Sequence, residues 1–357
     1  MKRTVFYILL LMIAETSSPL SAQGVTKEAD LQTLYQQIDD AIAQSPQYIA
    51  KRVTQISDTR KMLRAESNLN NQFALAEQLF ELYKPYKNDS ALYFADLCIS
   101  LADSLHRKDM VGLYLSLKAH QCSSTGMYVE SLELLKQVEE QALSPKGLIE
   151  YYAAWMHVCG EIGSYTQLPA ERTHYYERQD SYRDSVLAVA EEGSEAFLHL
   201  KMDVLSARQQ YQEALGISDN WIIKSADNTH EYAFAAFYRS VVYDKLSNGI
   251  QQRYWLGKSA LVDIKCAVND QASLFILAER LSQDGDYKRA YRYLRFCIAC
   301  NTAFYPQLRT YQVHYVDNIM EAIYNKSHAR YSRLLTIACV GTILLLGVVV
   351  WLFRRKR

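Results

Sequence analysis

Residues 274–298 read LFILAERLSQDGDYKRAYRYLRFCI, and no other stretch restricts the fold as much. Leu274, Leu277, Ala278 and Leu281 recur at three- and four-residue spacing, which puts them on one face of a helix. Asp284-Gly285-Asp286 breaks that helix, because glycine ends helices readily and the flanking aspartates favour turns. Tyr287, Ala290, Leu294 and Cys297 then share one side of a second helix. The small side chains of Ala278 and Ala290 let the two helices approach closely as an antiparallel hairpin. A hairpin this short cannot bury its apolar face alone, so it demands stacked neighbours.

The neighbours are present. Residues 73–83 and 90–102 form a hairpin through Pro85 and Asn88-Asp89. Residues 113–122 pair with 128–141 across Ser123-Ser124-Thr125-Gly126, and Ser144-Pro145 closes that unit. A packing position near the start of each second helix is held by Ala91, Ser131, Ala214, Tyr254 and Ala290, at intervals of 40, 83, 40 and 36 residues. The long interval has room for one further unit, with helices at 149–162 and about 171–190. Such spacings exceed the ~34 residues of a tetratricopeptide repeat. The expected fold is therefore all-α: an irregular, tetratricopeptide-like solenoid of about six helical hairpins, followed by a single transmembrane helix. Scarce breakers (13 Gly and 6 Pro in 357 residues) agree with helix throughout. Ahead of the hairpins, a short helix over 31–42 ends at Ser45-Pro46. A longer one follows, with Ile49, Val53, Ile56 and Leu63 on its apolar stripe and Lys51, Arg52, Arg60 and Lys61 elsewhere. Asn68 to Asn71 interrupt it.

The two ends of the chain suggest location. Met1-Lys2-Arg3 precedes ten apolar residues, 5–14, and then the small, turn-prone Ser17, Ser18, Pro19 and Ser21-Ala22. That pattern predicts a secretory signal peptide over 1–22, too short in its apolar run to span a bilayer. Residues 334–353 are twenty without a charge, which at ~1.5 Å per residue reach across a hydrocarbon core of about 30 Å. Arg354-Arg355-Lys356-Arg357 follows. With the signal peptide, the expected topology is an exported domain over 23–330, one inner-membrane helix over 331–353, and a basic cytoplasmic tail over 354–357. From Gln307 to Phe353 one helix can run unbroken, with polar Asn325 to His328 as its hinge.

Charge and cysteines narrow the chemistry. Lys plus Arg equals Asp plus Glu at 39 each, so no global charge points to nucleic acid, and none is expected to touch this chain. Of seven cysteines, Cys297 and Cys300 form the only tight pair; no second CxxC or His pair accompanies them, and Cys297 falls where the repeat wants a small packing residue. The eight histidines are scattered, and His157 with Cys159 lacks the spacing that helical metal ligands need. Neither a phosphate loop nor a HExxH or GxSxG motif occurs. No catalytic, cofactor-binding or metal-ligating residue is assigned. The 27 tyrosines serve either as packing residues between helices or as contacts on a concave face.

The order of segments resembles a Bacteroidetes family of unknown function with tetratricopeptide-like repeats and one membrane span, over roughly 31–353. Residues 78–83 (QLFELY), 88–93 (NDSALY), 180–185 (DSYRDS), 259–264 (SALVDI) and 285–291 (GDYKRAY) carry the resemblance. It implies kinship with membrane-bound transcriptional regulators, in which a periplasmic repeat domain and one span precede a cytoplasmic coiled coil and DNA-binding output. This chain stops four residues after its span. The resulting expectation is a non-enzymatic periplasmic repeat domain that binds a peptide, glycan or protein partner on the solenoid surface, alone or as a homodimer. It would be the sensing half of such a regulator; the alternative is a membrane-anchored scaffold for envelope assembly. The residues singled out are structural: Ala91, Gly126, Ser131, Ala214, Ala278, Gly285, Tyr287 and Ala290.

Overall fold

The computed structural model describes residues 28–304 and 310–355. The expected signal peptide, the helix start at Gln307 and the last two tail residues lie outside the described residues.

The first helix, α1, spans Glu28–Ala65 and does not stop at Pro46. Proline removes the amide that would bond to the Ile42 carbonyl, and the Ser45 hydroxyl donates to that carbonyl instead, at 2.8 Å. One helix of 38 residues, ~57 Å long, therefore replaces the expected two. Its apolar stripe differs as well. Ile56 is buried, Val53 is 46 % exposed, and Arg52 turns inward.

Twelve helices follow as six successive pairs: α2 (Leu69–Tyr83) with α3 (Asn88–Ser104), α4 (Lys108–Ser124) with α5 (Tyr128–Lys136), α6 (Pro145–Tyr165) with α7 (Pro169–Val189), α8 (Glu195–Ala207) with α9 (Tyr211–Lys224), α10 (His230–Lys245) with α11 (Gly249–Lys265), and α12 (Ala272–Gln283) with α13 (Tyr287–Phe304). Asn68 caps α2, its side-chain oxygen accepting from the amides of Asn70 and Asn71 at 2.9 and 3.3 Å. Helix α5 ends at Lys136 rather than near Gln141. Leu143 packs against Gly112 of α4 and Gly147 of α6, and with it the chain leaves the helix so that α4 packs directly on α6.

The turns inside and between these pairs repeat one solution. Gly126 and Gly285 take φ of 88° and 90°, and the next amide returns to a carbonyl of the last helical turn (Met127 to Cys122 at 3.0 Å, Asp286 to Leu281 at 2.9 Å). This is the left-handed stop that glycine adopts without steric cost. His106, Gln209, Ser247 and Ala267 make the same stop with φ of 51–60° and a side chain. At the helix crossings Ala91, Ser131, Ala214, Ala278 and Ala290 are fully buried, while Tyr287 and Tyr254 are partly buried against the core. Ala290→Leu should overpack its contact and cost about 1–3 kcal/mol. Exposed Lys288→Ala should stay within about 0.5 kcal/mol. Thermal melts check this, and equal effects would contradict the register.

Helix α1 closes the row of pairs into a ring. Leu31, Leu34, Tyr35, Ile38 and Ala41 share one core with Leu256 and Ala260 of α11, Leu277 of α12 and Leu294 of α13. Burying each large aliphatic side chain there contributes roughly 1.5–3 kcal/mol before ordering costs. Gly257 makes the approach possible, since a Cβ on it would stand 2.7 Å from a Leu34 methyl. Asp39 pairs with Arg292 at 2.9 Å, and the Tyr293 hydroxyl donates to the Tyr35 carbonyl at 3.2 Å. Ile56, toward the other end of α1, belongs to the core of α2, α3 and α4. Loops meet beside it: Asn269 donates its amide to the Pro85 carbonyl at 2.8 Å and its side chain to the Tyr86 carbonyl at 2.6 Å. Arg52 reaches both sides of that seam, donating to the carbonyls of Leu82 and Cys266 at 2.6 Å each. The first and last pairs are thus held together.

The final helix, α14, spans Thr310–Arg355 and contacts α13. It runs unbroken through Asn325 to His328, where the sequence suggests a hinge, because backbone hydrogen bonding along a helix does not require apolar side chains. Its stretch Tyr331–Val348 is long and apolar enough to cross a membrane, and none of it is buried.

Candidate functional site

Ring closure creates a chamber of about 630 Å³. Arg52 of α1, Glu81 of α2, His120 of α4 and Glu150 of α6 line one part of it. Glu195 of α8, His230 and Phe234 of α10, Asp270 of the α11–α12 loop, and Asn301 and Phe304 of α13 line the rest. No single hairpin makes the site. It exists because α1 brings the last pair beside the first.

Lys84 and Gln121 organise the wall at α2 and α4. The Gln121 amide donates to Asn88 Oδ1 at 2.8 Å and to the Lys84 carbonyl at 3.3 Å, fixing the turn that carries Lys84. His120 stacks on His157 with ring centroids 4.3 Å apart, and His157 Nδ1 lies 2.7 Å from Ser123 Oγ. Enclosure, then the neighbouring His157 and Lys84, hold the His120 pKa well below its ordinary value, so this imidazole is uncharged at neutral pH.

Across the chamber, His230 Nδ1 lies 2.8 Å from Asp263 Oδ1. That hydrogen bond is the main cause that raises the His230 pKa, whereas burial raises that of Asp263. Crowding by the surrounding protein raises Glu150, Glu195 and Asp270 from the ordinary carboxylate value although Glu195 and Asp270 stay exposed and Glu150 is only partly buried, with Lys84 opposing the rise at Glu150 and Glu195. Among the described residues the arrangement brings carboxylates, side-chain amides, aromatic rings and the Lys84 ammonium to one cavity. It is equipped to bind a polar ligand.

The cysteines sit elsewhere. Cys297 and Cys300 are buried at the α13 core with free thiols, as are Cys98, Cys122 and Cys159 in the other cores. Burial pushes the Cys98 and Cys300 thiols up to about 12 and Cys122 to about 11, which keeps them protonated and poorly nucleophilic. Among the described residues no three His, Cys, Asp or Glu side chains converge as metal ligands do.

None of the eight structural positions named from the sequence lines the chamber. The residues that do were missed, although a signal existed. His120 and His157 are 37 residues apart, as are Lys84 and Gln121, and Asn88 and Thr125, which also bond side chain to side chain. Polar residues recurring at the repeat interval stack on successive pairs, just as the small residues do.

A family model described as the SusR N-terminal TPR domain matches residues 42–315. No curated protein matches the chain.

Proposed function

We propose that this chain, which belongs to the Bacteroidetes family of SusR N-terminal TPR domains, is the sensing part of a membrane-tied regulator. Residues 1–22 direct export and are removed, 23–330 form a periplasmic ring, 331–353 cross the inner membrane, and the basic tail stays in the cytoplasm. The ring is a binding module rather than an enzyme: a small ligand, or the end of a peptide or glycan, enters the chamber.

One observation carries this reading. Asn301 and Phe304 line the chamber from the last turn of α13, only a few residues before α14 begins. Anything that fills the chamber touches the element that leads into the apolar helix. A ligand that prefers one position of α13 shifts the population of α14 positions with it.

The topology has a direct test. A reporter that works only in the cytoplasm, fused after Arg357, should be active, and one that works only after export should fail there. The opposite pair of results would overturn the orientation. If the orientation holds but no ligand moves α14, the ring is an anchored scaffold for envelope assembly.

A further inference from the structure

We propose that the part of α14 just ahead of its apolar stretch is a docking surface for anionic phospholipid headgroups. The inference rests on α14 crossing a bilayer and adds the kind of lipid that it meets there.

Placement is the first observation. Lys326, Arg330 and Arg333 follow one another at four- and three-residue spacing along α14, so the helix carries them on one face. Residues 322–357 include neither Asp nor Glu, and Glu321, five positions before Lys326, falls on another face. Arg333 adjoins Leu334, where the uncharged run begins. At ~1.5 Å per residue, Arg330 stands about 6 Å and Lys326 about 12 Å ahead of Leu334, and tilt of the helix only shortens these distances. The headgroup layer is roughly 5–8 Å deep on each side of the hydrocarbon core. Arg333 and Arg330 therefore fall inside that layer. Lys326 falls within one Debye length, about 8 Å, of its edge.

The second observation is independent of charge. Tyr324 and Tyr331 are 65 % and 69 % exposed. With His328, whose ring centroid lies 5.8 Å from that of Tyr324, they occupy the face opposite the cations. Large exposed rings at the entry to an apolar helix suit a bilayer interface, where amphipathic rings sit at headgroup level. Among the described residues nothing else in the chain buries the stretch Tyr331–Val348.

Orientation does not account for these cations. With the ring exported, Lys326 and Arg330 flank the span on the side where basic residues are disfavoured, and residues 354–357 already supply the cytoplasmic bias. Anionic lipid does account for them. Each Lys or Arg near an anionic surface strengthens attachment by about fivefold, and long basic side chains reach the headgroups from either side of the layer. A folded acidic protein is a poorer occupant, because the layer that holds Arg330 and Arg333 is too shallow to admit one.

The test reconstitutes the full chain in phosphatidylcholine vesicles that carry a trace of spin-labelled lipid. Electron spin resonance then compares how strongly the chain restricts labelled phosphatidylglycerol and labelled phosphatidylcholine. Phosphatidylglycerol should be favoured by about fivefold or more, and salt at about 1 M should weaken that preference. Lys326→Gln, Arg330→Gln and Arg333→Gln combined should cut the preference by about threefold or more. Arg330→Lys with Arg333→Lys keeps the charge and should keep the preference. Arg354→Gln, Arg355→Gln and Lys356→Gln combined should remove only the share of the far flank. Unchanged restriction of phosphatidylcholine checks that each variant still inserts. A preference that survives the first set and vanishes with the last would overturn the inference, as would equal restriction of the two lipids by the unaltered chain. In both cases α14 still crosses the bilayer. If the chain restricts neither label, α14 does not enter the bilayer, and the reading of α14 as a span fails together with this inference.

Discussion

Replacing Arg239 with Ala should cost the ring about 3–5 kcal/mol, the loss expected when one member of a buried, hydrogen-bonded charge pair is removed. Arg239 is 1 % exposed, midway along α10. Its guanidinium donates to Ser218 Oγ, to the Leu215 carbonyl and to Asp219 on α9, and to the Tyr243 hydroxyl one turn away. It also lies 4.7 Å from the centre of the Trp255 ring on α11. One side chain therefore ties three consecutive helices, and alanine leaves their acceptors without a donor and a gap beside Trp255. Arg239→Lys should not rescue it, because a compact ammonium cannot replace a planar fork that serves several acceptors while stacking on an indole. Urea unfolding followed by circular dichroism measures the difference. A loss within about 0.5 kcal/mol, the range of ordinary surface changes, would mean that α9, α10 and α11 do not depend on this residue.

The second large effect concerns output. In cells carrying a cytoplasmic reporter coupled to the tail, Ala329→Pro should abolish the response while leaving ligand binding intact. Ala329 is exposed on α14, so no packing is lost. Proline removes the amide that bonds to the Asn325 carbonyl and clashes with the preceding turn, costing ~3 kcal/mol and kinking the helix. The chamber is built from residues no later than Phe304 and stays folded. Ala329→Ser keeps the amide and should respond normally. A normal response from the proline variant would remove α14 as transmitter and leave the anchored scaffold as the better account.

What was legible in the sequence was local. The hairpin at Gly285 and its relatives could be read because apolar spacing and glycine stops act within a few residues. Four further stops at His106, Gln209, Ser247 and Ala267 escaped notice, since a residue with a side chain gives no sign that it will take positive φ. Pro46 pointed to a helix end, and only the Ser45 hydroxyl's bond to the Ile42 carbonyl explains why the helix continues. Arg52 read only as a residue off the apolar stripe, because its acceptor on Cys266 lies 214 residues away. Ring closure was invisible for the same reason: the apolar face of α1 shows that it packs, but not that Gly257 makes room for Leu34. The chamber depends on that closure and was lost with it.

The central claim is that α1 and the last pairs form one closed unit around the chamber, and amide hydrogen exchange of the full chain tests it most directly. Amides of residues 31–42 should be protected to the same degree as those of 274–281, with which they share a core. Gly257→Val, which crowds Leu34, should lower both together. Rapid exchange across 31–42 while 274–281 stays protected would show a free first helix and an open row of repeats, and would contradict the account.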